Sequence, residues 1–307
     1  MKKILLIGPG SVGAYFCGRA AQGGAAVEVV ARRGHEEIGR DGFIIRSIAG
    51  DFVFRPTRVL HSAAEASADV DLVVLATKVL PETDRSALLR PVASRPAHPP
   101  VMLLQNGIGI EDEIAANFPG NELISAVAYI GASRQAVNMI SHRGSGRLIL
   151  GRFGGGTSPA AEMAAALFRA GNVPCEVTGD IALERWRKLL WNLPFNPVSV
   201  LSGGLDTREM CDGGEVEKLC SDLMDEVIAV ANSVGVPLTR QMAEEQLEYT
   251  RNFPAYRTSM LQDFAAGRPL EVDAILGNAA KIAAARNVPV PRIACCTALL
   301  RALSRAK

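Results

Sequence analysis

Short apolar runs recur through the first half of the chain, at Ile4 to Ile7, Val27 to Ala31, Leu72 to Thr77, Val101 to Leu104 and Ile124 to Tyr129, and helical periodicity fills the intervals. Runs apolar at every position predict strands buried on both faces, as in parallel sheets made of strand-helix-strand units. Between Gly42 and Leu60 the pattern alternates instead, with Phe43 and Ile45 before Ala49-Gly50-Asp51 and Phe52 and Phe54 after it. That predicts a hairpin inserted after the second strand. The glycine-rich stretch Gly144 to Gly156 contains Arg147 to Gly151, which predicts one more antiparallel strand at an edge.

Beyond Thr178-Gly179-Asp180 the periodicity is helical only: Ile181 to Leu193, Glu215 to Val234, Thr239 to Arg251, Tyr256 to Ala266, Val272 to Arg286 and Arg292 to Arg305. Pro237, Pro254, Pro289 and Pro291 punctuate these helices. A chain of 307 residues exceeds what one core usually carries. The expected architecture is therefore α/β, a doubly wound sheet over residues 1–178 followed by an all-α domain over 179–307. The face Val216, Leu219, Leu223, Val227, Val230 and Val234 reads as core rather than interface, which leaves a homo-oligomer open.

Composition narrows the chemistry. Hydrophobic residues make up 48% and charged residues 21%, with a formal net charge of +1, so nothing global attracts nucleic acid or an acidic membrane. Any anion binding must be local. The six cysteines are scattered without a C-x-x-C pair, and the four histidines have no partner at helical spacing, so a metal site is not expected. The run Ile4 to Ile7 meets glycine too early for a signal-peptide core, and no apolar stretch reaches membrane-spanning length, which makes the cytoplasm the default expectation.

Directly after the first strand stands Gly8-Pro9-Gly10-Ser11-Val12-Gly13, a G-x-G-x-x-G at a strand-to-helix turn, which predicts a Rossmann-type dinucleotide-binding domain. Gly8 and Gly10 permit the tight turn and close approach to a diphosphate, and Gly13 permits close helix-to-strand packing. The end of the second strand selects the dinucleotide, because an acid there binds a ribose 2′-hydroxyl and a cation binds a 2′-phosphate. The chain reads Val29-Val30-Ala31-Arg32-Arg33, so NADP(H) is expected, with Arg32 as the phosphate ligand. Glu28 lies too early to be a ribose-binding acid.

Thr77-Lys78 and Gln105-Asn106-Gly107 each end a strand, where ligands of open α/β sheets lie. Taken singly, Lys78 reads as a solvated lysine and Asn106-Gly107 as a turn. Lys188, Asn192 and Asn196 are four residues apart, so each is displaced only about 40° around a helix from the last. One cation and two amides thus share a stripe suited to a small anionic carbonyl compound. The plainer reading is a solvated helix face, with Arg185 and Arg187 beside Lys188, and a helix stop at Asn196-Pro197. Likewise Glu271 after Arg268-Pro269 reads as an ordinary surface pair.

These motifs occur together with Ser259-Met260-x-x-Asp263 and Gly267-Arg268-x-x-Glu271-Val272-Asp273, and in that set the chain resembles the ketopantoate reductases (2-dehydropantoate 2-reductases), NADPH-dependent enzymes of pantothenate and coenzyme A biosynthesis. The resemblance spans nearly the whole chain. It implies reduction of 2-dehydropantoate to pantoate, with Lys188 as general acid assisted by Glu271. It implies that Asn106, Asn192, Asn196 and Ser259 hold the substrate, and that Gly8 to Gly13, Arg32, Lys78, Asn106 and Glu271 meet the cofactor. Hydride addition builds negative charge on the ketone oxygen, so a donor already in place lowers the barrier.

Two departures stand out. Pro194 falls between the two asparagines, and with Pro197 it removes amide donors to the carbonyls of Leu190 and Leu193, so a kink there would shift Asn196. Leu80-Pro81 follows Lys78 where family members often carry an aromatic and a polar residue. Either would suit a relative that reduces another small 2-oxo acid. A non-catalytic NADPH sensor is the remaining alternative, and it would lack a coherent general-acid set.

Overall fold

A computed structural model describes residues 1–305; the last two residues of the expected helical domain, 306 and 307, lie outside the described residues. The chain divides into two compact units. The first comprises Met1–Lys78, Thr83–Gln105 and Glu111–Ile181, and the second comprises Val79–Glu82, Asn106–Ile110 and the chain from Ala182 onward. The partition is therefore not a single cut near residue 179, because two short segments of the N-terminal half cluster with the helices.

The first unit is built on one ten-stranded sheet: β1 (Lys3–Ile7), β2 (Ala26–Val30), β3 (Phe43–Ser47), β4 (Phe52–Phe54), β5 (Arg58–Leu60), β6 (Leu72–Leu75), β7 (Val101–Leu103), β8 (Leu123–Ala136), β9 (Met139–Arg152) and β10 (Cys175–Val177). Its order is β4-β3-β9-β8-β7-β6-β1-β2-β5, with β10 also on β9. The central strands are parallel, and β1 lies between β2 and β6. The chain therefore changes direction across the sheet at β1 and β6, which is where such sheets bind ligands.

Alternation along β1 explains why the sheet is covered on both faces. Ile4 and Leu6 join one apolar cluster with Phe16 and Phe168, whereas Leu5 and Ile7 join another with Leu89 and Ile114. Helices α1 (Ser11–Gln22), α2 (His35–Asp41), α3 (Arg85–Ala93), α4 (Asp112–Asn117) and α5 (Pro159–Ala170) belong to this unit.

Three strand expectations need correction. The Gly42 to Leu60 hairpin forms, but only as β3 and β4, turning through Ser47–Asp51, with β3 parallel to β9. Its last residues form β5 on β2 instead. The strand expected at Arg147 to Gly151 is the end of β9, and it is interior: β8 flanks it on one side, with β3 and β10 on the other. The Ile124 to Tyr129 strand extends seven residues further, to Ala136.

The described part of the second unit is helical, with α6 (Ile181–Leu201, whose first residue belongs to the first unit), α7 (Thr207–Met210), α8 (Glu215–Ser233), α9 (Arg240–Asn252), α10 (Ser259–Ala265), α11 (Asn278–Ala285) and α12 (Pro291–Arg305). A π-helical turn at Asp273–Gly277 precedes α11. The core is contiguous, with Leu189, Leu190, Leu193 and Phe195 of α6 packed among Leu223, Met224 and Val227 of α8. Helix α6 continues to Leu201 through both prolines, so neither Pro194 nor Asn196-Pro197 ends it. No helix among the described residues is long and apolar enough to cross a membrane.

Candidate active site

In the first unit the Gly8 to Gly13 turn connects β1 to α1. Gly8 has φ +85°, and a Cβ there would lie 2.5 Å from the Cγ2 of Thr77, so both the conformation and the space demand glycine. A Cβ on Gly13 would sit 2.8 Å from that of Ala76, which fixes how closely α1 approaches β6. Gly10 differs, since its nearest contact would be 3.9 Å away. The protein's own packing does not require a glycine at that position, but close approach of a diphosphate would.

The chemistry of the turn fits the same group. Gly10 is the N-cap of α1 and offers no side chain to the first amides of the helix, which leaves them and the positive end of the helix dipole available to an anion. At the end of β2, Arg32 and Arg33 are exposed and make no hydrogen bond or ion pair with the described residues. Glu28 is buried and accepts from Ser67 and Arg58, so it is spoken for inside the unit. The amide of Gln105 donates to the carbonyl of Thr77 at 2.6 Å, tying the end of β7 to the end of β6.

The lysine of the helix stripe lies in the second unit, in a cluster assembled from three parts of the chain. The Nζ of Lys188, on α6, donates to the Oδ1 of Asn106 at 2.7 Å. Lys188 keeps some solvent access, yet its ammonium is packed deeply enough that burial lowers its pKa from 10.5 to about 7. The charge of Arg185 pushes in the same direction, and that of Glu271 opposes it. Glu271 also accepts the backbone N–H of Val79 at 2.9 Å, so its carboxylate is fixed by the segment Val79–Glu82. Arg268 pairs with Asp263 at 2.8 Å, which replaces the surface pair with Glu271 that proximity in sequence suggested.

Asn106 is held by its own neighbours. Gly107 adopts φ +109°, and a Cβ there would lie 2.5 Å from the carbonyl oxygen of Ala274. That carbonyl, in the π-helical turn, accepts the Ile108 amide at 3.0 Å, and Asn278 donates to the Ile108 carbonyl at 2.8 Å. The Nη1 of Arg185 donates to the Gly107 carbonyl at 3.2 Å. Widened turns of this kind often mark functional sites, and here the turn anchors the loop that presents Asn106.

The two asparagines of the stripe differ in what they touch. Asn196 is buried and fully engaged: its Nδ2 donates to the Asn192 carbonyl at 3.0 Å, and its Oδ1 accepts from the Met260 amide at 3.1 Å and the Ser259 hydroxyl at 3.3 Å. It thereby fixes the first turn of α10, whose N-cap Thr258 meets Ser199 of α6 at 2.6 Å. The side-chain amide of Asn192 makes no hydrogen bond with the described residues.

The structure thus brings together Lys188, Asn106 and Glu271, and links Asn196 with Ser259. Arg185 and the Val79 amide complete the cluster, and neither stood out in the sequence. Arg185 looked like one more charge on a solvated face; the signal was its position three residues before Lys188, on the same helical face.

Comparison with known proteins places this chain in a lineage. Residues 4–155 match the family model described as "Ketopantoate reductase PanE/ApbA", and residues 180–304 match "Ketopantoate reductase PanE/ApbA C terminal". The 2-dehydropantoate 2-reductase of a Nostoc species is 30% identical, covering 96% of this chain and 92% of its own. Among solved structures, the 2-dehydropantoate 2-reductase of Methylococcus capsulatus is 40% identical with a TM-score of 0.92, covering 99% of this chain and 97% of that one. That of Geobacter metallireducens is 30% identical with a TM-score of 0.91, covering 98% and 99%. With a lysine, an asparagine and a glutamate drawn into one cluster and both halves of the chain matched, this protein belongs to the ketopantoate reductase family.

Proposed function

We propose that the protein reduces 2-dehydropantoate to pantoate with NADPH, the first unit holding the dinucleotide and the helical unit supplying the acid. The observation that carries the reading is the Lys188 ammonium, 2.7 Å from the Asn106 side chain, with a pKa brought to about 7. A general acid works best with a pKa near the operating pH, because it is then substantially protonated and still gives its proton up readily. A solvated surface lysine would have neither property.

NADPH, once bound, would supply the hydride that the carbonyl carbon of the substrate accepts. Lys188 gives a proton from Nζ to the ketone oxygen, completing the secondary alcohol, and regains one from water between turnovers. Asn106 orients the ammonium, and Glu271 keeps it charged until an anionic substrate adds to that effect. Asn192 offers an uncommitted amide to the substrate's polar groups. Asn196 acts on the same site by fixing α10, which carries Ser259. Gly8 to Gly13 would hold the diphosphate, Arg32 the 2′-phosphate, and Lys78 would meet the cofactor.

Steady-state oxidation of NADPH by the purified protein tests this directly. We expect 2-dehydropantoate to give the highest kcat/KM in a panel of small 2-oxo acids. A higher value for another acid would reassign the substrate, and no turnover with any of them would overturn the reading.

A further inference from the structure

The β8–β9 hairpin reaches well past its neighbours. β8 pairs with β7 only as far as Ser125, whereas its pairing with β9 continues to Ala136 opposite Met139. The extra length lies over the carboxyl ends of β1 and β2, and three contacts trace its path. The Ala132 carbonyl accepts the Ser11 hydroxyl at 3.3 Å, Arg134 donates to the Pro9 carbonyl, and Val137 covers Gly34, where an added Cβ would meet its Cγ2 at 2.3 Å. In order along the hairpin, these contacts run from the glycine turn to the loop of Arg32 and Arg33. That is the course of a dinucleotide from its diphosphate to its adenosine ribose.

Arg134 is the one cation this hairpin points at the turn. Among the described residues its Nη2 hydrogen bond to Pro9 is the only one its guanidinium makes, it forms no ion pair, and its Nε is buried with no acceptor. Burial draws its pKa below the usual arginine value, and no carboxylate opposes that. A guanidinium offers five donors in a planar fork shaped for phosphate or carboxylate, and leaving one of its donors buried without an acceptor, as Nε is here, is costly. The arrangement is explained if its partner is an anion that binds at the turn.

We propose that Arg134 is a phosphate ligand of the dinucleotide, reaching the diphosphate at Gly8 to Gly13 from above and making the β8–β9 hairpin a clamp on the cofactor. The inference rests on the NADP(H) reading above. The contact with Pro9, a residue of the turn itself, assigns the guanidinium to the diphosphate and leaves the 2′-phosphate to Arg32.

Calorimetric titration of NADPH and of NADH into wild type, Arg134→Gln, Arg134→Lys and Arg32→Gln separates the possibilities. Arg134→Gln should weaken both nucleotides by the same factor, roughly ten- to a hundred-fold for a lost charge-assisted contact. Arg134→Lys, which keeps the charge and the fold but not the fork, should fall between, and Arg32→Gln should weaken NADPH alone. Wild-type affinity in Arg134→Gln would overturn the inference. So would a loss confined to NADPH, which would move the guanidinium to the 2′-phosphate. Wild type binding neither nucleotide would instead overturn the dinucleotide reading.

Discussion

At the scale of single residues, the site is a balance of charges around one ammonium. Burial and Arg185 lower the Lys188 pKa and Glu271 raises it, with a net position of about 7. Because ketone reduction consumes the protonated form, kcat/KM is expected to fall as pH rises through about 7. Glu271→Gln removes a charge that favours the ammonium and should move that limb to lower pH; Arg185→Gln should move it to higher pH. A profile whose midpoint is the same in all three proteins would detach Lys188 from the rate. The amides offer a second contrast. Asn192→Ala should raise KM and leave thermal stability alone, since its side chain bonds to nothing in the described protein. Asn196→Ala should lower stability by about 1–3 kcal/mol, because the Met260 amide and Ser259 hydroxyl lose a buried acceptor. Thermal melts beside KM values check both; equal loss of stability in the two variants would contradict the division.

At the scale of elements, the legible parts were those whose reason is local. Continuous apolar runs located β1, β2, β6 and β7, because strands buried on both faces have no polar side to confuse the reading. The glycine turn was legible because Gly8 and Gly13 have specific steric jobs against Thr77 and Ala76. The hairpin β3–β4 was legible but its neighbour β9 was not, since alternation reports which face is buried and nothing about which strand lies alongside. The outer length of β8 and β9 was missed for another reason. Between Tyr129 and Ala136 the pairing slips three times, and the residues are half-buried as far as Arg134 and exposed at Gln135 and Ala136, so neither an alternating nor a continuous apolar pattern survives. Arg134 lies in that stretch, which is why the sequence did not single it out. Helix α6 outlasted the stop expected at its prolines because tertiary packing outweighed two missing amides; Leu193, Phe195 and Val198 are all buried in the core of the second unit.

At the scale of the whole molecule, one unit carries the glycine turn, the other concentrates a lysine and the groups around it, and two short segments from the first half of the chain, Val79–Glu82 and Asn106–Ile110, cluster with the second. That crossover explains how residues that follow strand ends come to hold Lys188 and Glu271, as Asn106 and the Val79 amide respectively do. Keeping the ammonium buried costs the fold free energy. Lys188 binds its proton up to pH about 10.5 when unfolded but only to about 7 when folded, so the unfolded chain holds more protons between those values and stability rises with pH across that window. Lys188→Met should therefore raise the melting temperature, most below pH 7 and progressively less toward pH 10. The same variant provides the measurement that tests the account most directly, the turnover of saturating NADPH and 2-dehydropantoate beside calorimetric binding of NADPH. The account predicts a kcat lower by roughly 10²- to 10⁴-fold with NADPH affinity unchanged, as expected for loss of a proton donor alone. A Lys188→Met protein that turns over within a few-fold of wild type would contradict it.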